Sequence, residues 1–132
     1  MDASSPEALR GLTARDVMLA APKTLPCHVT VAEAREMLAD DHVQMLLLTD
    51  GPVFRGAVTS LPDGADPASP ALDHADPSAE TIAPTESAEA AYERTSRSPY
   101  RRVIVVGPDG TLAGLLCLNP TLTRFCSGRP SS

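Results

Sequence analysis

A duplication constrains this chain more than any other feature. Val103-Ile104-Val105-Val106 is a run of apolar, β-branched residues, followed by Gly107-Pro108-Asp109-Gly110 and then by a second apolar run, Leu112 to Leu118. β-Branched residues fit a pleated strand, and Gly, Pro and Asp supply turn geometry, so the pattern predicts a buried hairpin. Met45-Leu46-Leu47-Leu48, Asp50-Gly51-Pro52 and Val53 to Ser60 repeat it 58 residues earlier, and a gapless alignment puts Gly56 on Gly114.

A chain of 132 residues buries one respectable core, or two small units that share one. The apolar content of 42% suits a globular protein, while an aromatic share of 3% with no Trp leaves the packing to Ala, Val and Leu. A net charge of −6 argues against nucleic acid, whose phosphates need a clustered basic surface, and against anionic lipid. Cys27, Cys117 and Cys126 are odd in number, far apart and without a C-x-x-C pair, so neither a disulfide framework nor a zinc site is expected, and Cys117 reads as a small core hydrophobe. Residues 1–20 carry Glu7, Arg10, Arg15 and Asp16 and lack the apolar core of a signal peptide, and no apolar run is long enough to cross a bilayer. A soluble, cytoplasmic protein is the expectation.

The rest of each half repeats in the same order. Residues 1–12 read as a loose leader with little packing, and residues 13–61 as a first repeat. Thr13 is placed to cap a short helix, Ala14 to Leu19, ended by Pro22. Lys23-Thr24-Leu25 is a brief extended segment. Thr30 with Glu33 has capping-box spacing, and Val31, Ala34, Met37 and Leu38 recur at helical intervals, so a helix runs to about Asp40-Asp41-His42. Three prolines in 61–70 make residues 62–70 a linker. The second repeat, 71–126, opens with a turn at Leu72-Asp73-His74-Ala75 that matches Asp16-Val17-Met18. Thr81-Ile82 matches Thr24-Leu25, and Glu86 to Ala90 matches Thr30 to Ala34 at an offset of 56, which predicts a helix from about Ser87 to Thr95. Leu122 to Phe125 reads as a short closing helix, and 127–132 as a tail.

A short β-segment, Thr-Val-x-Glu-Ala, an aliphatic strand, a Gly-containing turn and Gly-hydrophobic-hydrophobic-Thr resemble the cystathionine-β-synthase (CBS) domain. The residues that carry the likeness are Asp16-Val17-Met18, Thr24-Leu25, Thr30 to Ala34, Leu46 to Leu48 and Gly56 to Thr59. In the second half they are Ser87 to Ala90, Arg102 to Val106, Asp109-Gly110 and Gly114 to Leu116. The resemblance covers about residues 13–126. It implies an α/β fold of two βαββα repeats packed with pseudo-twofold symmetry into one globule, a Bateman module. It also implies clefts for an adenine nucleotide (AMP, ADP or ATP) or S-adenosylmethionine, and a homodimer. At such a cleft an extended segment meets the adenine edge, a Thr or Ser and an Asp three residues later hold the ribose hydroxyls, and basic residues take phosphate.

On that pattern the candidate ligand residues are Thr24, Leu25, Met45, Thr59, Ser60 and Asp63 in the first half. Those in the second half are Thr81, Ile82, Arg101, Arg102, Val103 and Asn119. The expected Asp positions hold Pro62 and Pro120, and Cys117 stands where Thr59 stands in the first repeat. Asp63 and Asn119 lie one residue away as substitutes. Thr59 has a second reading, a strand end whose hydroxyl meets a backbone carbonyl. Arg101 and Arg102 are either bidentate phosphate donors or a solvated strand entry paired with Glu89 or Glu93. His28, His42 and His74 lack the spacing of metal ligands. No nucleophile–base motif and no phosphate-cradling glycine loop is present, so no catalytic residue is assigned and the chain is expected not to be an enzyme. The expected function is a regulatory sensor that acts in trans on a partner protein; the alternative is a degenerate pair serving as a ligand-free dimerisation or interaction scaffold.

Overall fold

Both hairpins form. The computed structural model describes residues 6–20, 22–40, 45–77, 79–119, 121–122 and 125. Strand β1 is Thr24–Pro26, β2 is Leu46–Asp50 and β3 is Val53–Val58; these make one mixed sheet of order β1-β2-β3. Strand β4 is Thr81–Ile82, β5 is Arg102–Val106 and β6 is Leu112–Cys117, in a second sheet of order β4-β5-β6. In each sheet the first pair is parallel and the second antiparallel. A parallel pair needs a crossover connection, and helix α3, Val31–Leu38, supplies it in the first sheet as α4, Ala88–Arg97, does in the second. α1, Pro6–Leu9, and α2, Ala14–Val17, precede them.

The pairing register refines the sequence alignment. Leu48 faces Gly56 and Val105 faces Gly114, and each sheet slips by one residue just beyond that pair, between Leu48 and Thr49 and between Val105 and Val106. The offset between copies is therefore 58 for the second strand of the hairpin but 57 for everything before the turn. The extra residue sits in the Gly107–Thr111 turn, where Gly110 adopts φ 87° and the Gly107 amide donates to the Thr111 carbonyl at 2.8 Å. Hence Leu46, not Met45, corresponds to Val103. A one-residue slip in a strand would turn every side chain to the other face, so the shift is needed to keep both aliphatic rows in their cores.

Helix caps follow the same offset. Glu33 N donates to the Thr30 hydroxyl at 3.2 Å while Thr30 N donates to Glu33 Oε1 at 3.1 Å, the expected capping box. In α4 the cap is Ser87, whose Oγ accepts from Ala90 N at 3.1 Å. Ser87, rather than Glu86, is thus the counterpart of Thr30. α3 ends at Leu38, before the expected Asp40, and Asp41 and His42 lie outside the described residues.

The backbone divides into two compact units. A central unit, Lys23–Ala79, holds the first sheet, α3 and a 3₁₀ helix at Ala71–His74. Its core is Val29, Ala34, Leu46, Leu48, Val58 and Ala71. The other unit joins Met1–Pro22 to Glu80–Ser132 and packs Ala14, Ile82, Ala91, Val103, Val105 and Leu116. The short helix that precedes each repeat in the chain therefore packs with the other repeat. In the split unit Ala14 N donates to Glu86 O and Ala88 N to Leu12 O, both at 2.8 Å. In the central unit Ala71 N donates to Val29 O at 2.9 Å and Val31 N to Ser69 O at 2.8 Å, the same exchange. The match of Leu72-Asp73-His74-Ala75 to Asp16-Val17-Met18 holds in three dimensions.

Two expectations are corrected. Residues 6–12 are not loose: Leu9 is 2% exposed in a cluster with Ala88 and Leu118, against which Leu12 and Tyr92 pack. Leu122, expected to open a closing helix, has φ 60°, and Phe125 forms an isolated bridge with Leu118; residues 123–124 of the expected helix lie outside the described residues. Tyr92 holds this end by donating its hydroxyl to Leu122 O at 2.7 Å and by an edge-on contact with the Phe125 ring. The 127–132 tail, Pro120 and Cys126 lie outside the described residues. No helix among the described residues is long and apolar enough to cross a membrane.

Candidate functional site

Where β3 ends, the chain leaves the sheet through Thr59, Ser60, Leu61, Pro62 and Asp63. Thr59, Ser60, Leu61 and Asp63 line a surface pocket of about 400 Å³ together with Arg35, Leu38 and Ala39 from the end of α3. Arg35 shapes the wall, because its Nη2 donates to Pro62 O at 2.9 Å and so ties the helix to the loop. The pocket thus combines an aliphatic wall, two hydroxyls, a cation and a carboxylate. Of the candidates in the first half it gathers Thr59, Ser60 and Asp63. Thr24 lies exposed on β1, Leu25 packs against the central core and Met45 is half-buried ahead of β2; none of these three lines it.

The Thr59 hydroxyl meets a carboxylate and not the backbone carbonyl read for it as a strand end. Its Oγ1 donates to Asp76 Oδ2 at 2.9 Å, a half-buried hydrogen bond that spans 17 residues of sequence. Asp76 follows the 3₁₀ helix and is pinned to β3 by its own amide, which donates to Ala57 O at 2.7 Å. That helix lies close to the sheet because Gly56 has no side chain: a Cβ there would meet Leu72 Cδ1 at 3.0 Å and Ala75 Cβ at 3.1 Å. The acid hydrogen-bonded to Thr59 is therefore Asp76, while Asp63 lines the pocket beside Thr59. No short motif signals this. Only the equivalence of the two short helices, read with the register, would have located it.

The equivalent corner of the split unit is apolar. Leu19 occupies the place of Asp76, exchanging backbone hydrogen bonds with Leu115 at 2.8 and 3.1 Å, and Cys117 occupies the place of Thr59. Cys117 is buried and disulfide-bonded, which corrects the expectation of a plain thiol in the core; Cys27 is a free thiol. Among the second-half candidates, Ile82 and Val103 are 4% and 0% exposed and belong to the core. Thr81 is exposed, and its carbonyl accepts from Arg94 at 3.3 Å. The Asn119 carbonyl accepts from Leu122 N at 3.0 Å.

Arg101 and Arg102 form a cationic bend ahead of β5. Arg101 takes φ 54°, a backbone region that costs a non-glycine residue, and its buried Nε has no hydrogen-bond partner among the described residues. Arg102 Nη1 donates to Tyr100 O at 2.8 Å, and burial, then the neighbouring Arg101 charge, lowers its pKa. Glu93, one of the acids expected beside them, pairs instead with Arg97 at 2.8 Å. No three His, Cys, Asp or Glu side chains gather as a metal cluster among the described residues.

Two three-stranded mixed sheets, each with a crossover helix and a short exchanged helix, are the architecture of tandem CBS pairs, and solved structures of that class superpose on this chain. CBSX2 of Arabidopsis thaliana, a CBS-pair protein, matches with a TM-score of 0.67 at 22% identity, over 81% of this chain and 89% of its own. A CBS domain protein of Pyrobaculum aerophilum, solved with AMP, gives 0.63 at 24% identity over 84% and 95%. The CBS domain of a bacterial CNNM/CorC family Mg²⁺ transporter, solved with ATP, gives 0.63 at 13% identity over 84% of each. No protein-family model and no curated protein matches the chain. At these identities the likeness establishes the fold, and the fold is that of a CBS pair.

Proposed function

We propose that this chain is a non-catalytic regulatory module of the CBS-pair type that binds an adenine nucleotide and passes its occupancy to a partner protein. The observation that carries this reading is the pocket in which the Thr59 and Ser60 hydroxyls and the Asp63 carboxylate lie beside an aliphatic wall. Such a corner offers hydroxyl and carboxylate acceptors to a sugar beside apolar surface for a base. Solved CBS pairs that hold AMP or ATP favour the same ligand class. Homodimerisation and a cytoplasmic setting go with this reading as proposals.

A ligand that binds only the native state raises its melting temperature. The chain is therefore melted with AMP, ADP, ATP and S-adenosylmethionine at millimolar concentration. A rise with at least one nucleotide, reduced in Thr59→Ala, is expected. No response to any of the four would overturn nucleotide sensing and leave the scaffold reading, which the apolar Leu19–Cys117 corner favours for the split unit.

A further inference from the structure

We infer that the pocket at the end of β3 holds an α-amino-acid group, its carboxylate on Arg35 and its ammonium on Asp63. This deepens the reading above and rests on it for the pocket being a ligand site; what it adds is the zwitterion, whether that arrives as a free amino acid or carried on an adenosine. Arg35 and Asp63 line the same cavity of about 400 Å³, yet neither enters an ion pair among the described residues. Opposite charges that share a cavity without meeting leave room for a group that carries both in the reverse order. A guanidinium presents its N–H donors as a planar fork, and Arg35 commits Nη2 to Pro62 O at 2.9 Å. The rest of the fork is left for a carboxylate, and the anchor fixes where it stands, so less freedom is lost on binding.

The same lining makes a phosphate the weaker fit. Arg35 is the one cation among the described residues that line the cavity. Against it stand the Asp63 carboxylate and the C-terminal end of α3, which Leu38 and Ala39 bring to the cavity and which carries a partial negative charge. Both favour an ammonium and repel a dianion. Leu38, Ala39 and Leu61 offer aliphatic surface to an apolar side chain or a methylene arm.

Calorimetric titration of the full chain with S-adenosylhomocysteine, 5′-methylthioadenosine, AMP and L-methionine tests this, because the first two share an adenosine and a thioether and differ in the amino-acid group. A hydrogen bond to a charged group, once lost, corresponds to about tenfold in affinity, so S-adenosylhomocysteine is expected to bind about tenfold tighter than 5′-methylthioadenosine or AMP. Asp63→Asn, at a side chain with no hydrogen bond among the described residues, should bring the first two within about twofold while leaving 5′-methylthioadenosine unchanged. Arg35→Gln should act likewise, and Asp63→Asn decides the matter if the loop loosens without the Arg35 anchor. A preference absent from the unaltered chain, or one that survives Asp63→Asn, overturns the inference and leaves the nucleotide reading standing. Binding of methionine alone, lost in Asp63→Asn, upholds the zwitterion and overturns the nucleotide reading. Binding of none of the four overturns both.

Discussion

At the scale of single residues, Gly56 and Gly114 show how the same device is used to different depths. Each is the place on a strand where a short helix lies against the sheet. A Cβ at Gly114 would sit 2.5 Å from Met18 Sδ and 2.6 Å from Leu19 O, whereas at Gly56 the nearest atoms are side-chain carbons at 3.0 and 3.1 Å. Overpacking of this kind costs about 1–3 kcal/mol where neighbours can move, and a backbone carbonyl held in a bridge moves least. Gly114→Ala is accordingly expected to destabilise the chain more than Gly56→Ala in urea unfolding, and equal costs would contradict the packing described. Thr59 and Ser60 were legible in the sequence because they end a hairpin whose turn and apolar rows announce themselves. Asp76 was not, because it lies 17 residues from Thr59 and meets it only through the way the short helix before it seats on the sheet, which local spacing does not encode.

At the scale of elements, local chemistry was read well where the stabilising contact is local. The capping box of α3, both hairpins and the parallel segments Thr24–Leu25 and Thr81–Ile82 all lie where propensity and spacing put them. The turn at Leu122 was read less well, because it answers to a tertiary contact, the Tyr92 hydroxyl. Helix α2 is short enough to need its own cap. The Asp16 carboxylate accepts from Thr13 N at 2.8 Å and from Thr13 Oγ1 at 3.0 Å, and these bonds, the backbone one foremost, hold its pKa below the ordinary value. A folded-state pKa below the unfolded one contributes stability above the unfolded value, and that contribution is lost as pH falls through the folded value. Asp16→Asn should therefore lower the melting temperature near neutral pH, with the gap to the unaltered chain closing as pH drops below about 4. A gap that does not change with pH would rule this role out.

At the scale of the whole molecule, duplication and exchange of the short helices explain why two similar halves end in unlike corners. The order of elements was legible from the repeat. Which short helix serves which sheet was not, since it is decided by long-range bonds such as Ala14 N to Glu86 O and Ala71 N to Val29 O. That exchange brings Asp76 to Thr59 in one unit and Leu19 to Leu115 in the other, so a fold built from two copies carries the hydroxyl–carboxylate pair once. Isothermal titration of the chain with AMP measures this directly. The account predicts one AMP per chain, weakened by Thr59→Val; two equivalent molecules per chain, or a titration that Thr59→Val leaves unchanged, would contradict it.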